Sequence, residues 1–503
     1  MEVMSRNGCK KLDKYTIDEV GIPSLVLMEN AANKVFDKIV NLEGKFIVFC
    51  GNGNNGGDGL AIARKLILEE KDVCIVIVSK DEKYSADFLT NINILRKLTK
   101  NFIYIRNIED IAFLKEVSSN YNIAIDCIFG VGLNRVLDVF YTKIINYIND
   151  KWEFIISIDV PSGLNCDNGE IMGTSILANK TYTFEVVKMG FINYKALRYL
   201  GEVEVLRIGI PQYVKRINSE KVYILSRDDY GKLLRKREKY GHKGMYGKVA
   251  ILAGSKGYTG AAYISTQSCV MAGAGLTTLV TTKYVQDKLS SKLVEAMTAN
   301  IESLENLKDL FQKVNVIAIG PGIDEEIKYK DIFLNLIKYK DKKFVIDAGA
   351  FNLIKNNNEL MMGIKERAII TPHPGEMARL IDKSIDYVEE NRIYVARKFA
   401  KENKVVVLLK GYNTIITDGE CVYINKSGNS KMASGGMGDC LTGIISALLA
   451  QGHSTMESAI IGAYVHGLAG ELAADGKYST VASEVITNIS RAMNYLWINL
   501  RQI

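Results

Sequence analysis

The chain has 503 residues, more than one hydrophobic core usually supports, and its 48% hydrophobic and 24% charged residues are ordinary for a soluble protein of two domains. A net charge of +7, with basic residues mostly interspersed with acidic ones, disfavours a nucleic-acid groove and suits small anionic ligands. Four histidines without a His-Glu-x-x-His pattern disfavour a zinc hydrolase.

The cysteines and the apolar stretches of the chain indicate its compartment. Eight scattered cysteines form no Cys-x-x-Cys pair, and several lie in apolar runs, which predicts reduced core residues. The first residues lack an apolar signal-peptide core, and no apolar stretch approaches the roughly 18 residues that span a bilayer. We expect a cytoplasmic homo-oligomer that binds neither membranes nor nucleic acid.

Apolar runs of strand length alternate with amphipathic helical stretches from end to end, which is typical of parallel sheets covered by helices. The predicted fold class is therefore α/β. In the first half the pattern predicts a helix at 28–40 and strands at 46–50, 73–78, 123–126 and 154–159. In the second half it predicts a helix at 458–474 and strands at 248–253, 316–319, 344–347, 368–371 and 405–410.

A basic segment at 232–244 separates the two series of elements, and we place a domain boundary shortly before it. The composition favours a solvated connector. The alternative is that Lys243 and its neighbouring glycines lie near a phosphate.

A run rich in glycine and asparagine, 51–59, directly follows the first predicted strand. We expect it to be a loop, with a helix that begins near Leu60. Its glycine spacing matches neither the dinucleotide fingerprint nor the P-loop, but its backbone and side-chain amides are typical of a nucleotide-binding loop. A purely structural turn is the alternative.

Two aspartates close apolar strands at what should be the same sheet edge. Asp126 and Asp159 would be costly there unless they are used, because burying a carboxylate without partners is unfavourable. Together with Asn55 and Ser162 they offer oxygen ligands for a cation. The alternative for each aspartate is a cap on the following turn.

In the second half, glycine-rich segments follow several predicted strands, at 254–260, 320–322, 347–350, 371–376 and 410–414. Prolines flank His373 and a glutamate follows, a pattern that predicts a loop presenting the imidazole. A lone histidine is more often a satisfied core or surface residue.

The run 433–443 carries three glycines within four positions, then Asp439 and an apolar helix from Leu441. Bare amides at a helix N-terminus bind anions, and a carboxylate beside them can take a proton. We interpret this run as a phosphoryl-transfer site. A glycine-capped helix with an N-terminal aspartate is the alternative.

The first half resembles the NAD(P)H-hydrate epimerase domain, on the segments 28–32, 51–59 and 184–190 and on Asp126 and Asp159. The resemblance covers most of 1–215 and implies a Rossmann-like αβα domain in which Asp159 contacts the hydrate and is catalytic. It implies potassium ligation by Asn55, Asp126 and Ser162. The remaining contacts to the hydrated cofactor would come from Asn54, Asn55, Gly56, Gly57, Asp58, Gly130, Val131, Gly132, Leu133, Asn134, Arg135 and Val136.

Residues 225–503 resemble the ADP-dependent NAD(P)H-hydrate dehydratase, a ribokinase-like family, and this order of domains matches the bifunctional repair enzymes. The resemblance implies epimerisation of the R and S hydrates. The S hydrate would then be dehydrated with ADP, giving AMP and phosphate, and magnesium would bridge the nucleotide phosphates. It implies that Ala261, Gly322, His373 and the catalytic Asp439 face the hydrate. It assigns the adenine nucleotide to Lys410, Gly411, Tyr412, Asn413, Thr414 and Gly438.

Two positions depart from the family pattern. Met437 stands where the family commonly has serine or threonine, and Gly349 where it usually has aspartate. A sugar or hydroxymethylpyrimidine kinase shares the glycine-aspartate run and is the main alternative. A nucleotide-sensing protein with a decayed site is a second alternative, from a non-enzyme class.

Overall fold

A computed structural model describes residues 1–302, 304–324 and 326–498. It divides into two compact units, Met1–Val222 and Tyr223–Ile503. Each contains a largely parallel sheet with helices, so the predicted α/β class is confirmed. The cysteines are free, and all but Cys421 are buried. No helix within the described ranges combines the length and apolarity needed to cross a membrane.

The sheet of the first unit has seven strands within the described residues, all parallel. In spatial order they are Phe102–Ile105, Val73–Val78, Phe46–Cys50, Ile123–Cys127, Ile155–Ile158, Lys180–Phe184 and Glu202–Leu206. The chain reverses its direction of progress between Phe46–Cys50 and Ile123–Cys127. Ligands of open parallel sheets bind at such a switch point, beyond the carboxyl ends of the strands.

Both faces of this sheet are covered, because successive side chains along a strand belong in turn to two buried clusters. Phe46 and Val48 join the cluster that contains helix Asn54–Leu68, whereas Ile47 and Phe49 join the one that contains helix Val139–Lys151. A short parallel pair, Val3–Met4 with Val187–Lys188, lies outside the main sheet. The α-helices are Arg6–Asp18, Ser24–Ile39, Asn54–Leu68, Ala86–Leu98, Ile111–Val117, Val139–Lys151, Leu197–Leu200 and Gln212–Ile217.

The prediction that 51–59 is a loop ahead of a helix beginning near Leu60 was wrong, because the helix begins at Asn54. Its glycines serve close packing. A Cβ on Gly56 would lie 1.9 Å from the Gly51 carbonyl oxygen, and one on Gly59 would lie 2.8 Å from the Cys127 sulphur. Tertiary packing therefore overrides the low helix propensity of glycine here.

The sheet of the second unit has ten strands in the part of the chain that the structure describes. In spatial order they are Val222–Ile224, Val422–Asn425, Thr414–Thr417, Val406–Leu409, Ala368–Ile370, Lys343–Ile346, Val316–Ile319, Lys248–Leu252, Leu276–Thr281 and Met297–Asn300. The seven strands from Val406–Leu409 to Met297–Asn300 are parallel. Thr414–Thr417 pairs antiparallel with the strands before and after it in the chain, Val406–Leu409 and Val422–Asn425.

Strand Val222–Ile224 belongs to this second sheet, and the division between the two units falls between Val222 and Tyr223. Residues 235–240 of the basic segment are exposed, as expected of a solvated connector. The α-helices of this unit are Arg227–Leu233, Thr259–Met271, Lys283–Leu289, Leu304–Lys313, Glu326–Leu336, Ala350–Ile354, Asn358–Ile364, Pro374–Leu380, Ile385–Glu390, Arg392–Asn403, Met437–Ala450, Thr455–Ala473 and Ala482–Ile498.

Candidate active sites

The first unit contains a cavity of about 620 Å³ at the switch point of its sheet. It extends from the N-terminus of helix Asn54–Leu68 to the turn after strand Ile123–Cys127. Most of the predicted hydrate-binding residues line it, namely Asn54, Asn55, Asp58, Gly130, Val131, Gly132, Leu133, Asn134, Arg135 and Asp159.

Three predicted hydrate-binding residues lie elsewhere. Gly56 and Gly57 are buried, and a Cβ on Gly57 would lie 2.6 Å from the Met28 methyl carbon. Val136 is 69% exposed and is not among the residues that line the cavity. The two glycines therefore pack the helix against its surroundings, and Val136 faces outwards.

Asp159 follows strand Ile155–Ile158 directly and has φ of +65°, a left-handed conformation that is uncommon outside glycine. Its backbone N–H donates to the Tyr182 carbonyl at 2.7 Å. Its Oδ1 lies 2.8 Å from the Lys188 ammonium, and the side chains of both residues are largely buried. Such strained, ion-paired carboxylates cluster at functional sites.

Further carboxyls surround this pair. Burial raises the pKa of Asp13 to about 6, with Lys188 opposing the rise and Asp159 adding to it. Burial also raises the pKa of Asp58 well above its ordinary value, and the charge of Asp159 adds to that. Both side chains line the cavity. A cavity wall with several carboxyls can exchange protons with a bound ligand.

The three predicted cation ligands lie around the turn at 128–130. Asp126 is fully buried and accepts hydrogen bonds from the Ser162 hydroxyl at 2.5 Å and the Ser162 N–H at 2.8 Å. Burial raises its pKa, with the Ser162 hydrogen bonds opposing the rise. The Ser162 hydroxyl oxygen in turn accepts from the Phe129 N–H at 2.8 Å. A Cβ on Gly130 would lie 3.3 Å from Asn55, so Asn55 flanks the same turn.

In the second unit, all five glycine-rich segments follow neighbouring parallel strands and therefore meet at one sheet edge. Asp347 is the centre of this edge. Its Oδ1 accepts from the Lys410 ammonium at 2.8 Å, and its Oδ2 from the Thr442 hydroxyl at 2.8 Å. Burial alone would raise the pKa of Asp347, but the charge of Lys410 and the hydrogen bonds from Lys410, Thr442 and Thr371 together outweigh it, and the pKa is lowered.

Asp439 lies in the first turn of helix Met437–Ala450, whose cap, Gly436, has φ of +86°. Burial raises the pKa of Asp439 to about 7, and the charge of Asp347 adds to the rise while Lys410 opposes it. A Cβ on Gly438 would lie 3.2 Å from the Lys410 Nζ, so the ammonium and the helix N-terminus face the same space. Amides, a cation and a carboxyl with a pKa near neutrality are what phosphoryl transfer to an activated hydroxyl requires.

His373 is both exposed and a helix cap. Its Nδ1 accepts hydrogen bonds from the N–H groups of Gly375 and Glu376, and the Glu376 carboxylate accepts from the His373 N–H at 2.7 Å. These bonds assign the proton of the neutral ring to Nε2. Glu376 also lies 3.8 Å from the Lys410 ammonium, which brings His373 to the same edge as Asp439. The alternative of a structurally satisfied histidine therefore holds for Nδ1, whereas Nε2 of this exposed side chain has the Glu376 carboxylate 3.5 Å away.

The other predicted hydrate contacts of this unit, Ala261 and Gly322, lie side by side. A Cβ on Gly322 would lie 3.0 Å from the Ala261 Cβ, and its φ is +64°. Ala261 is in the first turn of helix Thr259–Met271, which packs against helix Met437–Ala450, since a Cβ on Gly443 would lie 2.2 Å from the Ser265 carbonyl oxygen.

The predicted nucleotide segment 410–414 connects two strands at the same edge. Gly411 has φ of +138° and lies against the Arg392 guanidinium, which donates to the Lys410 carbonyl at 3.1 Å. Tyr412 is 57% exposed, whereas Asn413 is buried with φ of +53°. The Thr414 hydroxyl donates to the Gly411 carbonyl at 2.9 Å. The segment is thus a tight turn that leaves the tyrosine ring accessible.

The two departures from the family pattern have different surroundings. A Cβ on Gly349 would lie 2.6 Å from the Ile323 carbonyl oxygen, so an aspartate would require the backbone to shift. Met437 is half-buried and packs against the core of the second unit. Neither position carries the contacts made by Asp347, Lys410 or Asp439.

Several candidate residues escaped the sequence analysis as individual site residues, above all Lys188, Asp13 and Asp347. Lys188 and Asp347 did carry a signal, because each is a charged residue at the end of an apolar run. Asp13 carried none, since its helix Arg6–Asp18 has a polar surface pattern.

Comparisons with known proteins agree with this division. The family model described as YjeF-related protein N-terminus matches residues 24–190, and the one described as NAD(P)H-hydrate dehydratase matches 249–491. The bifunctional NAD(P)H-hydrate repair enzyme Nnr of Moorella thermoacetica is 35% identical over 482 residues, covering 92% of this chain and 91% of the relative. Its namesake in Dictyoglomus turgidum is 33% identical and covers 98% of each chain. A solved ribokinase-like superfamily protein from Enterococcus faecalis aligns with a TM-score of 0.52 and 28% identity, covering 55% of this chain and 96% of that one.

Proposed function

The chain belongs to the family of bifunctional NAD(P)H-hydrate repair enzymes, as its sequence predicted, and from that premise we propose how its residues divide the work. The first unit interconverts the R and S hydrates, and the second dehydrates the S hydrate with ADP. The observation that carries the proposal is Asp439, a carboxyl with a pKa of about 7 beside the Lys410 ammonium at a glycine-rich helix N-terminus.

In the second unit, Asp439 takes the proton of the hydroxyl on C6 of the hydrate. The oxygen of that hydroxyl attacks the terminal phosphorus of ADP. The bond from that phosphorus to the bridging oxygen breaks, and AMP leaves. The ring nitrogen then supplies the electron pair that expels phosphate from C6, and loss of the C5 proton restores the double bond of NAD(P)H. Lys410 and the amides of the helix N-terminus stabilise the charge on the transferred group.

In the first unit, Asp159 acts as acid and base at the same carbon. It moves the proton that is exchanged when a bond at C6 breaks and re-forms. Because the bond can re-form on either face of C6, the R and S forms interconvert. The cavity at the switch point holds the hydrate, with Asn54, Asp58 and the turn at 130–135 as its walls. The R hydrate is thereby converted to the S hydrate, so that both epimers are repaired by the same dehydration step.

Potassium fits the first unit. Among the described residues, the Asn55 side chain has both polar atoms buried without a hydrogen-bond partner, and it flanks the turn that also carries the Asp126 contacts. Asn55 Oδ1, Ser162 Oγ and the Asp126 carboxylate would hold the ion, which would supply a fixed positive charge beside the hydrate. The Asp126 oxygens already accept four hydrogen bonds. The main contribution of Asp126 to binding the ion would therefore be its negative charge.

Magnesium has fewer protein ligands available in the second unit. Asp347 and Glu376 are already hydrogen bonded, and the described residues contain no group of three or more histidine, cysteine or acidic side chains that could hold a metal ion. Magnesium often keeps nucleotide phosphates and water as most of its ligands. We therefore propose that it arrives with ADP and that the protein does not hold it alone.

The proposal is tested with the purified chain and the separated hydrate epimers. With ADP and magnesium we expect both epimers to regain the absorbance of the reduced nicotinamide, and we expect AMP and phosphate in equal amounts. Replacing ADP by ATP tests the choice of donor. A sugar or hydroxymethylpyrimidine kinase would instead phosphorylate its own substrate and leave the hydrates unchanged, which would contradict the proposal.

Removal of potassium should affect one unit only. After dialysis into choline chloride, epimerisation of the R hydrate should fall several-fold while dehydration of the S hydrate continues, and potassium chloride should restore the lost rate. Binding of the ion to the folded state should also raise the melting temperature. The Asn55→Leu variant should show neither response. An equal potassium response in that variant would place the ion elsewhere.

A further inference from the structure

We propose that Lys188 is a positioning residue of the epimerase site, which holds Asp159 so that Oδ2 is the oxygen that exchanges protons with the substrate. This inference rests on the proposed epimerase activity of the first unit. It concerns a residue that does not itself touch the reacting atoms. Its support is the set of contacts that Lys188 and Asp159 make.

The Lys188 ammonium is buried, and each of its three protons has a hydrogen-bond acceptor. The residue is 3% exposed, and its Nζ lies 2.8 Å from Asp159 Oδ1, 3.1 Å from the Phe184 carbonyl oxygen and 3.5 Å from the Val186 carbonyl oxygen. An ammonium has three protons to donate, so these three acceptors account for all of them. Lys188 therefore has no donor left for a ligand, although its side chain borders the cavity.

The two oxygens of Asp159 have different surroundings. Oδ1 accepts from Lys188 and, at 3.3 Å, from the Thr183 hydroxyl. Oδ2 lies beside Gly130, where a Cβ would approach it to 3.2 Å. Gly130 lines the cavity and has no side chain to cover that oxygen. The lysine thus fixes one oxygen inside the unit and leaves the other facing the ligand space.

Lys188 is also the counter-ion of Asp159 in a mostly acidic environment. The groups whose charges interact with Asp159 are Cys9 and Asp13 of helix Arg6–Asp18, Asp58 of helix Asn54–Leu68, Cys166 and Lys188. Within this set Lys188 alone is a cation. Without it, Oδ1 would keep the hydrogen bond from the Thr183 hydroxyl but lose the ion pair that fixes its position.

The test compares Lys188→Met, Lys188→Arg and an exposed control, Lys143→Met, in epimerisation of the R hydrate, with kcat and KM measured separately. We expect Lys188→Met to lose about a hundredfold in kcat, the scale of a misplaced acid-base group, with KM nearly unchanged. Lys188→Arg keeps a cation beside Oδ1, so part of the kcat should return. Lys143→Met should match the wild type.

The outcomes separate this inference from the proposed function. A wild-type chain that does not accelerate epimerisation would contradict the proposed function itself. Wild-type epimerisation together with an unchanged kcat in Lys188→Met would overturn the inference alone. So would a rise in KM with kcat unchanged, because Lys188 would then bind the hydrate directly. Dehydration of the S hydrate by the second unit and thermal unfolding report whether each variant folds. If Lys188→Met does not fold, Thr183→Val tests the same oxygen and should lower kcat several-fold without raising KM.

Discussion

The Asp439→Asn variant will lose at least about a hundredfold in dehydration of the S hydrate, because an amide of the same size cannot accept the C6 hydroxyl proton. The change leaves the Lys410–Asp347 pair at 2.8 Å in place, so ADP should still bind. Initial rates with saturating ADP, and the affinity for ADP measured by calorimetry, separate the two effects.

The pH dependence of dehydration is a second measurement that checks the role of Asp439. The carboxylate is the active form of a base, and burial raises the pKa of Asp439 to about 7, so kcat/KM of the wild type should fall as pH decreases below about 7. The Asp439→Asn variant should lack this limb.

The matched control for this change is Asp475→Asn. Asp475 is an exposed aspartate of the same unit, and its replacement should leave the rate and the profile unchanged. Epimerisation by the first unit should also be unchanged in both variants. Wild-type dehydration by Asp439→Asn would show that another group takes the proton, and our assignment of the base would be wrong.

Buried parallel strands were the most predictable part of the fold. Continuous apolar runs such as 46–50 and 316–319 are fully buried. Because parallel strands end at one edge of a sheet, the sequence alone placed Asp126 and Asp159 at the same edge. Strands with exposed or polar positions were missed, for example Met297–Asn300 and Glu202–Leu206. Their side chains meet solvent, so their sequences lack the apolar run that marks a buried strand.

The partners of the site residues were less predictable than the residues themselves. Asp159 and Asp439 could be selected from local sequence, because each stands next to glycine-rich or strand-end patterns. Their neighbours Lys188 and Asp347 act across long sequence separations, through contacts that only the packed sheet creates. The start of helix Asn54–Leu68 was misplaced for the same reason, since the benefit of its glycines lies in contacts with Gly51 and Cys127.

The Asp159→Asn variant will lose epimerisation of the R hydrate down to the uncatalysed rate, while dehydration of the S hydrate continues. An amide at this position cannot carry the proton, yet it occupies the same volume beside Gly130. The measurement follows each epimer separately in the presence of ADP. The exposed Asp150 supplies the matched control, Asp150→Asn, which should repair both epimers as the wild type does.

Asp159→Asn also leaves the buried Lys188 ammonium without its counter-ion, and breaking a buried pair in this way costs roughly 3–5 kcal/mol. Loss of activity could therefore reflect a less stable first unit. The double variant Asp159→Asn with Lys188→Met removes both charges, so it should regain much of the free energy of unfolding and remain inactive on the R hydrate. Stability is measured by urea unfolding and activity by the two-epimer assay. Epimerisation by the stable double variant would assign the acid-base role to another carboxyl that lines the cavity, with Asp13 and Asp58 as the candidates.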